Sequence, residues 1–126
     1  MATVAITGSA GGIGIATRAR LEADGHRVIG IDMRDAEVIA DLSTAEGRGA
    51  MVAAVGEMSG GTLDGLVAGA GVMGDAIAVS VNFFGAIATI DGLRPFLERG
   101  TNPSAIAISS NSTTTQPGIS LDLINA

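Results

Sequence analysis

Residues 7–14 read T-G-S-A-G-G-I-G and follow a short apolar run, Thr3-Val4-Ala5-Ile6. They precede a helix-like stretch from Ile13 to Asp24. A strand, a glycine-rich turn and a helix in this order can hold a dinucleotide pyrophosphate. The glycines let the backbone turn sharply and approach the phosphates, and the N–H groups at the helix start complete the anion site. Gly8, Gly12, Ile13 and Gly14 are the candidates for that contact. A carboxylate, Asp32, ends the next apolar run, Val28-Ile29-Gly30-Ile31. This is close to the roughly 20-residue offset at which an acid grips an adenosine ribose. Its charge would repel a 2′-phosphate, which favours NAD over NADP, although Arg34 follows nearby and is a cation able to accept such a phosphate.

The elements that must hold these residues alternate. The helix from Ile13 to Asp24 is stopped by Gly25, and a strand follows from Arg27 to Asp32. A short strand, Glu37 to Ala40, leads into Asp41-Leu42. Ser43-Thr44-Ala45-Glu46 reads as a capping box, with the Ser43 hydroxyl and the Glu46 side chain serving each other's backbone N–H groups. It opens a helix to about Met58, closed by Gly60-Gly61. Leu63 to Ala68 is the next strand and ends in Gly69-Ala70-Gly71. A helix from about Ile77 to Glu98 follows, which Pro95 should bend near its end, and Ser104 to Ser109 is the last strand. The alternation predicts an α/β fold, a Rossmann-type doubly wound parallel sheet with helices on both faces. Residues 1–110 form the dinucleotide-binding domain. Residues 111–126 form a loop or tail, rich in serine and threonine and then apolar from Ile119 to Ile124.

In such a sheet Asp41 and Leu42 fall near an adenine ring. Gly69, Ala70 and Gly71 end the strand beside the first one, where small residues let a ribose–nicotinamide portion pass close to the backbone. Asn82, a polar residue in an apolar helix, is either a satisfied buried amide or a functional group. Ser109-Ser110, at the carboxyl end of a central strand, either faces a ligand or opens a loop. His26, the single histidine, reads as a surface residue without a chemical role.

Composition narrows the chemistry further. The 126 residues contain no cysteine, so disulfides and thiolate metal sites are excluded, and one histidine leaves zinc without a ligand set. A net charge of −6 argues against nucleic acid. No run approaches 18 consecutive apolar positions, so a membrane span is not expected. Met1-Ala2-Thr3 enters strand-like sequence without a basic segment or cleavage signal, so a cytoplasmic location is expected. There is no tyrosine, tryptophan or lysine, and all seven basic residues are arginines. A mechanism that needs a phenol or an ammonium group must find it elsewhere.

Together these residues resemble the short-chain dehydrogenase/reductase family. The glycine loop, Asp32, Asp41-Leu42, Ala68 to Gly71, Val81-Asn82 and Ile108-Ser109-Ser110 occur in the family's order. The stretch Gly30 to Arg48 is similar to members acting on hydroxysteroids and carbonyl compounds. The resemblance implies an NAD-dependent exchange of hydride between a secondary alcohol and a ketone on a small hydrophobic substrate, with steroids among the candidates. It implies that Ser110 orients the carbonyl and that Asn82 supports a water chain to a lysine. It also implies a homodimer or homotetramer, with the long helix after Gly71 as an interface. The family's Tyr-x-x-x-Lys pair is absent from these residues, so the chain is expected to be the N-terminal half of a longer enzyme, inactive alone. The alternative is a non-catalytic dinucleotide-binding module.

Overall fold

The structure, a computed structural model, describes residues 1–110. The tail expected at 111–126 lies outside the described residues. Five parallel strands, β1 (Thr3–Thr7), β2 (Arg27–Asp32), β3 (Val38–Ile39), β4 (Gly65–Ala68) and β5 (Ser104–Ala107), form one sheet in the order β3-β2-β1-β4-β5. Between them run α1 (Gly12–Ala23), α2 (Ala45–Ser59), α3 (Asp75–Ala78), a π-helical segment Val79–Gly85 and α4 (Ala86–Leu97). The sheet thus has the doubly wound order that the alternation predicts.

Side chains alternate across the strands and build two unequal apolar layers. On one face Ala5, Ile29, Ile31 and Leu66 meet Met51 and Val55 of α2 and Leu93 and Leu97 of α4. Each fully buried side chain of this kind contributes roughly 1.5–3 kcal/mol. On the other face Val4, Ile6 and Val28 pack with Leu21 of α1 in a smaller cluster. Polar side chains fasten the lower edge. The Asp64 carboxylate accepts the N–H groups of Thr3 and Thr101, each at 2.8 Å, which hold its carboxyl below the usual range.

Several boundaries differ from expectation for local reasons. Helix α2 is capped by Thr44 and not by Ser43: the Thr44 hydroxyl accepts the Gly47 N–H at 3.0 Å. Ser43 turns back instead, its hydroxyl and N–H both donating to Asp41 Oδ1 at 2.6 and 2.9 Å. His26 is half-buried, and its Nδ1 accepts the N–H of Ala2 at 3.1 Å, so it fastens the start of the chain. The predicted single helix after Gly71 is a continuous helical run whose hydrogen bonding loosens to the π form at Val79–Gly85. Pro95 lies inside α4, which continues to Leu97. By length and composition this run, Asp75–Leu97, could cross a membrane. Here Val81, Gly85, Thr89, Leu93 and Leu97 are its buried stripe. Ile77, Val79, Phe83, Phe84 and Ile87 are exposed.

The β2–β3 connection is unusually tight for parallel strands. Five residues, 33–37, return the chain to pair Ile31 with Val38, through Asp35 at φ 48. Because β3 starts opposite Ile31, it cannot serve the Gly30 N–H, which faces that side of β2. The Glu37 carboxylate accepts this N–H at 2.8 Å and is gripped by both terminal nitrogens of Arg18 on α1. A Cβ at Gly30 would stand 2.6 Å from Ser9 Oγ and 2.9 Å from Glu37 Oε2, so only glycine leaves room for the network. The Arg18 guanidinium, foremost, lowers the Glu37 carboxyl from 4.5 to about 2. A depressed folded value means that the stabilisation is complete above pH 4.5 and is lost as pH falls towards 2. Glu37→Gln should therefore cost about 1 kcal/mol at neutral pH and flatten the decline of thermal stability between those limits. Parallel stability–pH curves for the two proteins would contradict this assignment.

Candidate functional site

The sheet reverses its winding at β1, which lies between β2 on one side and β4 on the other. Loops leaving the carboxyl ends of neighbouring strands diverge at such a point and leave a crevice. A pocket of about 370 Å³ opens there. Gly8, Gly12, Ile13, Gly14, Asp32, Asp41, Leu42, Gly69, Ala70 and Gly71 all line it, so the structure brings together every residue that the sequence suggests for the cofactor. Ala10, Gly11, Met33, Arg34, Val72 and Val81 line it as well.

The glycine loop is shaped by close approach. Gly8 has φ 75, and a Cβ there would lie 2.8 Å from the Gly69 carbonyl oxygen. Its N–H donates to the Ile31 carbonyl at 2.9 Å, and its own carbonyl accepts the Gly11 N–H at 3.1 Å. That same carbonyl would be 2.1 Å from a Cβ on Gly14, so α1 can start here only if residue 14 has no side chain. Gly11 caps α1 without a side-chain hydrogen bond, and the first turn holds no acid. The leading N–H groups and the positive end of the helix dipole are therefore available to an anion in the pocket.

The other walls are fixed by hydrogen bonds. Asp32 Oδ2 accepts the Ala10 N–H at 2.9 Å and Oδ1 accepts the Met33 N–H at 2.7 Å, so one carboxylate holds the glycine loop against the end of β2. Each oxygen retains a lone pair for a further donor such as a ribose hydroxyl. Asp41 is held below the usual carboxylate range by the Ser43 hydroxyl and then by the Ser43 N–H. Thr7, buried at the end of β1, accepts the N–H groups of Gly69 and Ala70 on its hydroxyl at 3.0 and 3.2 Å. Sequence reasoning gave Thr7 no role, although it opens the glycine motif.

Asn82 and Ser110 do not line the pocket. Asn82 is exposed on the π-helical segment, and its amide makes a reciprocal pair with Val72. Oδ1 accepts the Val72 N–H at 2.8 Å while Nδ2 donates to the Val72 carbonyl at 2.9 Å. Ser110 is exposed and follows β5 at the carboxyl end of the sheet. Among the described residues no group of three or more His, Cys, Asp or Glu could hold a metal ion.

Strand order, glycine loop and crevice together define a Rossmann-type fold, and the chain is similar to short-chain dehydrogenases/reductases. The particular likeness is to bacterial 3α-hydroxysteroid dehydrogenase/carbonyl reductase. The chain is 51% identical over 116 residues to that enzyme from Comamonas testosteroni, covering 87% of this chain and 44% of the relative. It superposes on the 3α-hydroxysteroid dehydrogenase of Pseudomonas sp. B-0831, solved with NADH, with a TM-score of 0.86 and 51% identity. That match covers 92% of this chain and 50% of the other. A Brucella ovis oxidoreductase of the short-chain family, solved with partially ordered NAD, matches with a TM-score of 0.79 at 26% identity, covering 90% and 65%. No family model matches the chain. The chain spans about half the length of the two hydroxysteroid dehydrogenases.

Thr7→Val keeps the shape of the side chain and removes the acceptor. It should destabilise the protein by roughly 2 kcal/mol by orphaning two backbone donors. Thermal or denaturant unfolding measures this, and a change under about 0.5 kcal/mol would contradict the role given to the hydroxyl.

Proposed function

We propose that the protein is the NAD(H)-binding part of a short-chain oxidoreductase interconverting a secondary alcohol and a ketone on a hydrophobic substrate, with hydroxysteroids the leading class. The observation that carries the reading is the convergence of the glycine loop, Asp32 and Gly69–Gly71 on one pocket. The pocket fits the dinucleotide because its closest backbone approaches are at glycines and its helix start has no competing acid. The N–H groups of Gly12, Ile13 and Gly14 bind the pyrophosphate, and Gly8, whose N–H is taken by the Ile31 carbonyl, shapes the turn that holds it. Asp32 accepts the adenosine ribose hydroxyls, Asp41 and Leu42 flank the adenine, and Gly69, Ala70 and Gly71 line the nicotinamide side. When bound, NAD(H) accepts or supplies the hydride.

Ser110 orients the substrate oxygen, and Asn82 supports the proton path from the helix. Removal of a hydride needs a concerted proton acceptor on oxygen, and a phenol serves near neutral pH only beside a cation. The 126 residues hold no tyrosine and no lysine, so that pair comes from outside them. This absence also favours a second reading, in which these residues bind the dinucleotide without turnover. A cytoplasmic homodimer or homotetramer completes the proposal, with the exposed apolar residues of the Asp75–Leu97 run as its contact.

Two outcomes test the proposal. NADH should bind more tightly than NADPH by fluorescence titration, and Asp32→Ala should narrow that preference by about tenfold or more. A wild-type preference for NADPH would refute the role of Asp32. In a complete enzyme Ser110→Ala should lower kcat roughly 100-fold while leaving NADH affinity nearly unchanged. Unchanged turnover would remove Ser110 from the catalytic set.

A further inference from the structure

Arg48 occupies the first turn of α2, where the positive end of the helix disfavours a cation. No described carboxylate forms an ion pair with it. Its guanidinium instead donates to three backbone carbonyls. Nε reaches the Leu42 oxygen at 2.8 Å, and Nη2 reaches the oxygens of Ser43 at 3.2 Å and Ser80 at 2.9 Å. The Phe84 ring lies against it, 5.8 Å from centroid to the guanidinium carbon. These partners belong to two separate elements, each of which also lends a residue to the pocket, Leu42 on one side and Val81 on the other. Leu42 and Ser43 follow β3 on the Asp41 side of the pocket, whereas Ser80 and Phe84 stand on the π-helical segment. That segment also carries Asn82, which clamps Val72, and Val81, which lines the pocket. Its approach is close: a Cβ on Gly85 would stand 3.3 Å from Leu42 Cβ.

We infer that Arg48 is a positioning residue for the adenine end of the dinucleotide, setting the gap between the Asp41–Leu42 wall and the helix by bridging their carbonyls. The inference rests on the dinucleotide reading above. A planar fork holds its donors in fixed directions and can keep carbonyls on two elements at a set spacing; a lysine ammonium has three donors but carries them on a flexible stem that fixes the spacing less well. The bridge holds Leu42, beside Asp41, directly, and reaches Val72, next to Gly71, through Asn82 on the same segment. Its loss should therefore be felt unequally along the ligand.

The test measures AMP, nicotinamide mononucleotide and NADH binding to the full-length protein by calorimetry, for wild type, Arg48→Met and Arg48→Lys, alongside thermal unfolding. Arg48→Met should weaken AMP and NADH about tenfold, equivalent to about 1.4 kcal/mol, and leave the mononucleotide within about twofold. Arg48→Lys should recover part of the loss. A folded Arg48→Met protein with unchanged AMP affinity, or with equal losses for all three ligands, would overturn the inference. If Arg48→Met shows no cooperative unfolding, Arg48→Lys decides: a selective loss of AMP affinity supports the inference and wild-type affinity overturns it. Wild-type protein that binds none of the three would overturn the dinucleotide reading, and the role of Arg48 with it.

Discussion

The turn between β1 and α1 must pass against the end of β4 at backbone contact distance. Gly8 makes this possible with a positive φ and no Cβ, where any side chain would enter the Gly69 carbonyl. Thr7 makes it favourable, because its buried hydroxyl accepts the two N–H groups that β4 presents after its last residue. Much of the site follows from this junction. Once the turn is pressed against Gly69 and Ala70, the Gly8 carbonyl points at the start of α1 and forbids a side chain at residue 14. The helix then begins beside the sheet with its leading N–H groups at the mouth of the crevice.

Around that junction, polar side chains do what the apolar layers cannot. The core fixes how helices lie on the sheet, but it says little about where loops stop. Each pocket wall is instead held by a side chain satisfying backbone groups: Asp32 for the glycine loop, Asn82 for Val72, Arg48 for Leu42 and Ser43. The Glu37–Arg18 pair does the same for Gly30, whose N–H lies beyond the reach of a two-residue β3. These groups leave the pocket walls defined by hydrogen-bond geometry, which would suit the long, flexible dinucleotide proposed for the site.

The doubly wound order and the pocket lining were legible because they depend on short-range patterns. An apolar run before T-G-S-A-G-G-I-G, an acid ending β2 and small residues ending β4 are read directly, and strand β2 has the bounds its sequence suggests. What was not legible depends on partners distant in sequence. Ser43 and Thr44 are equally good caps by composition, and the choice falls to Asp41, which draws Ser43 away. The π-helical turns have no periodic signature in residues 79–85, where Ser80 and Gly85 lie against Arg48 and Leu42. His26 looks like a helix-end surface residue until Ala2 is placed beside it. Arg48 carries no motif, and its partners span two elements.

The most direct measurement of the central claim is the change in backbone amide resonances of the protein on adding NADH. The largest shifts are expected at Gly12, Ile13 and Gly14, whose N–H groups would meet the pyrophosphate, with further shifts at Gly69 and Ala70. NADH binding that leaves the Gly12–Gly14 amides unmoved would contradict this, because the ligand would then lie away from the start of α1.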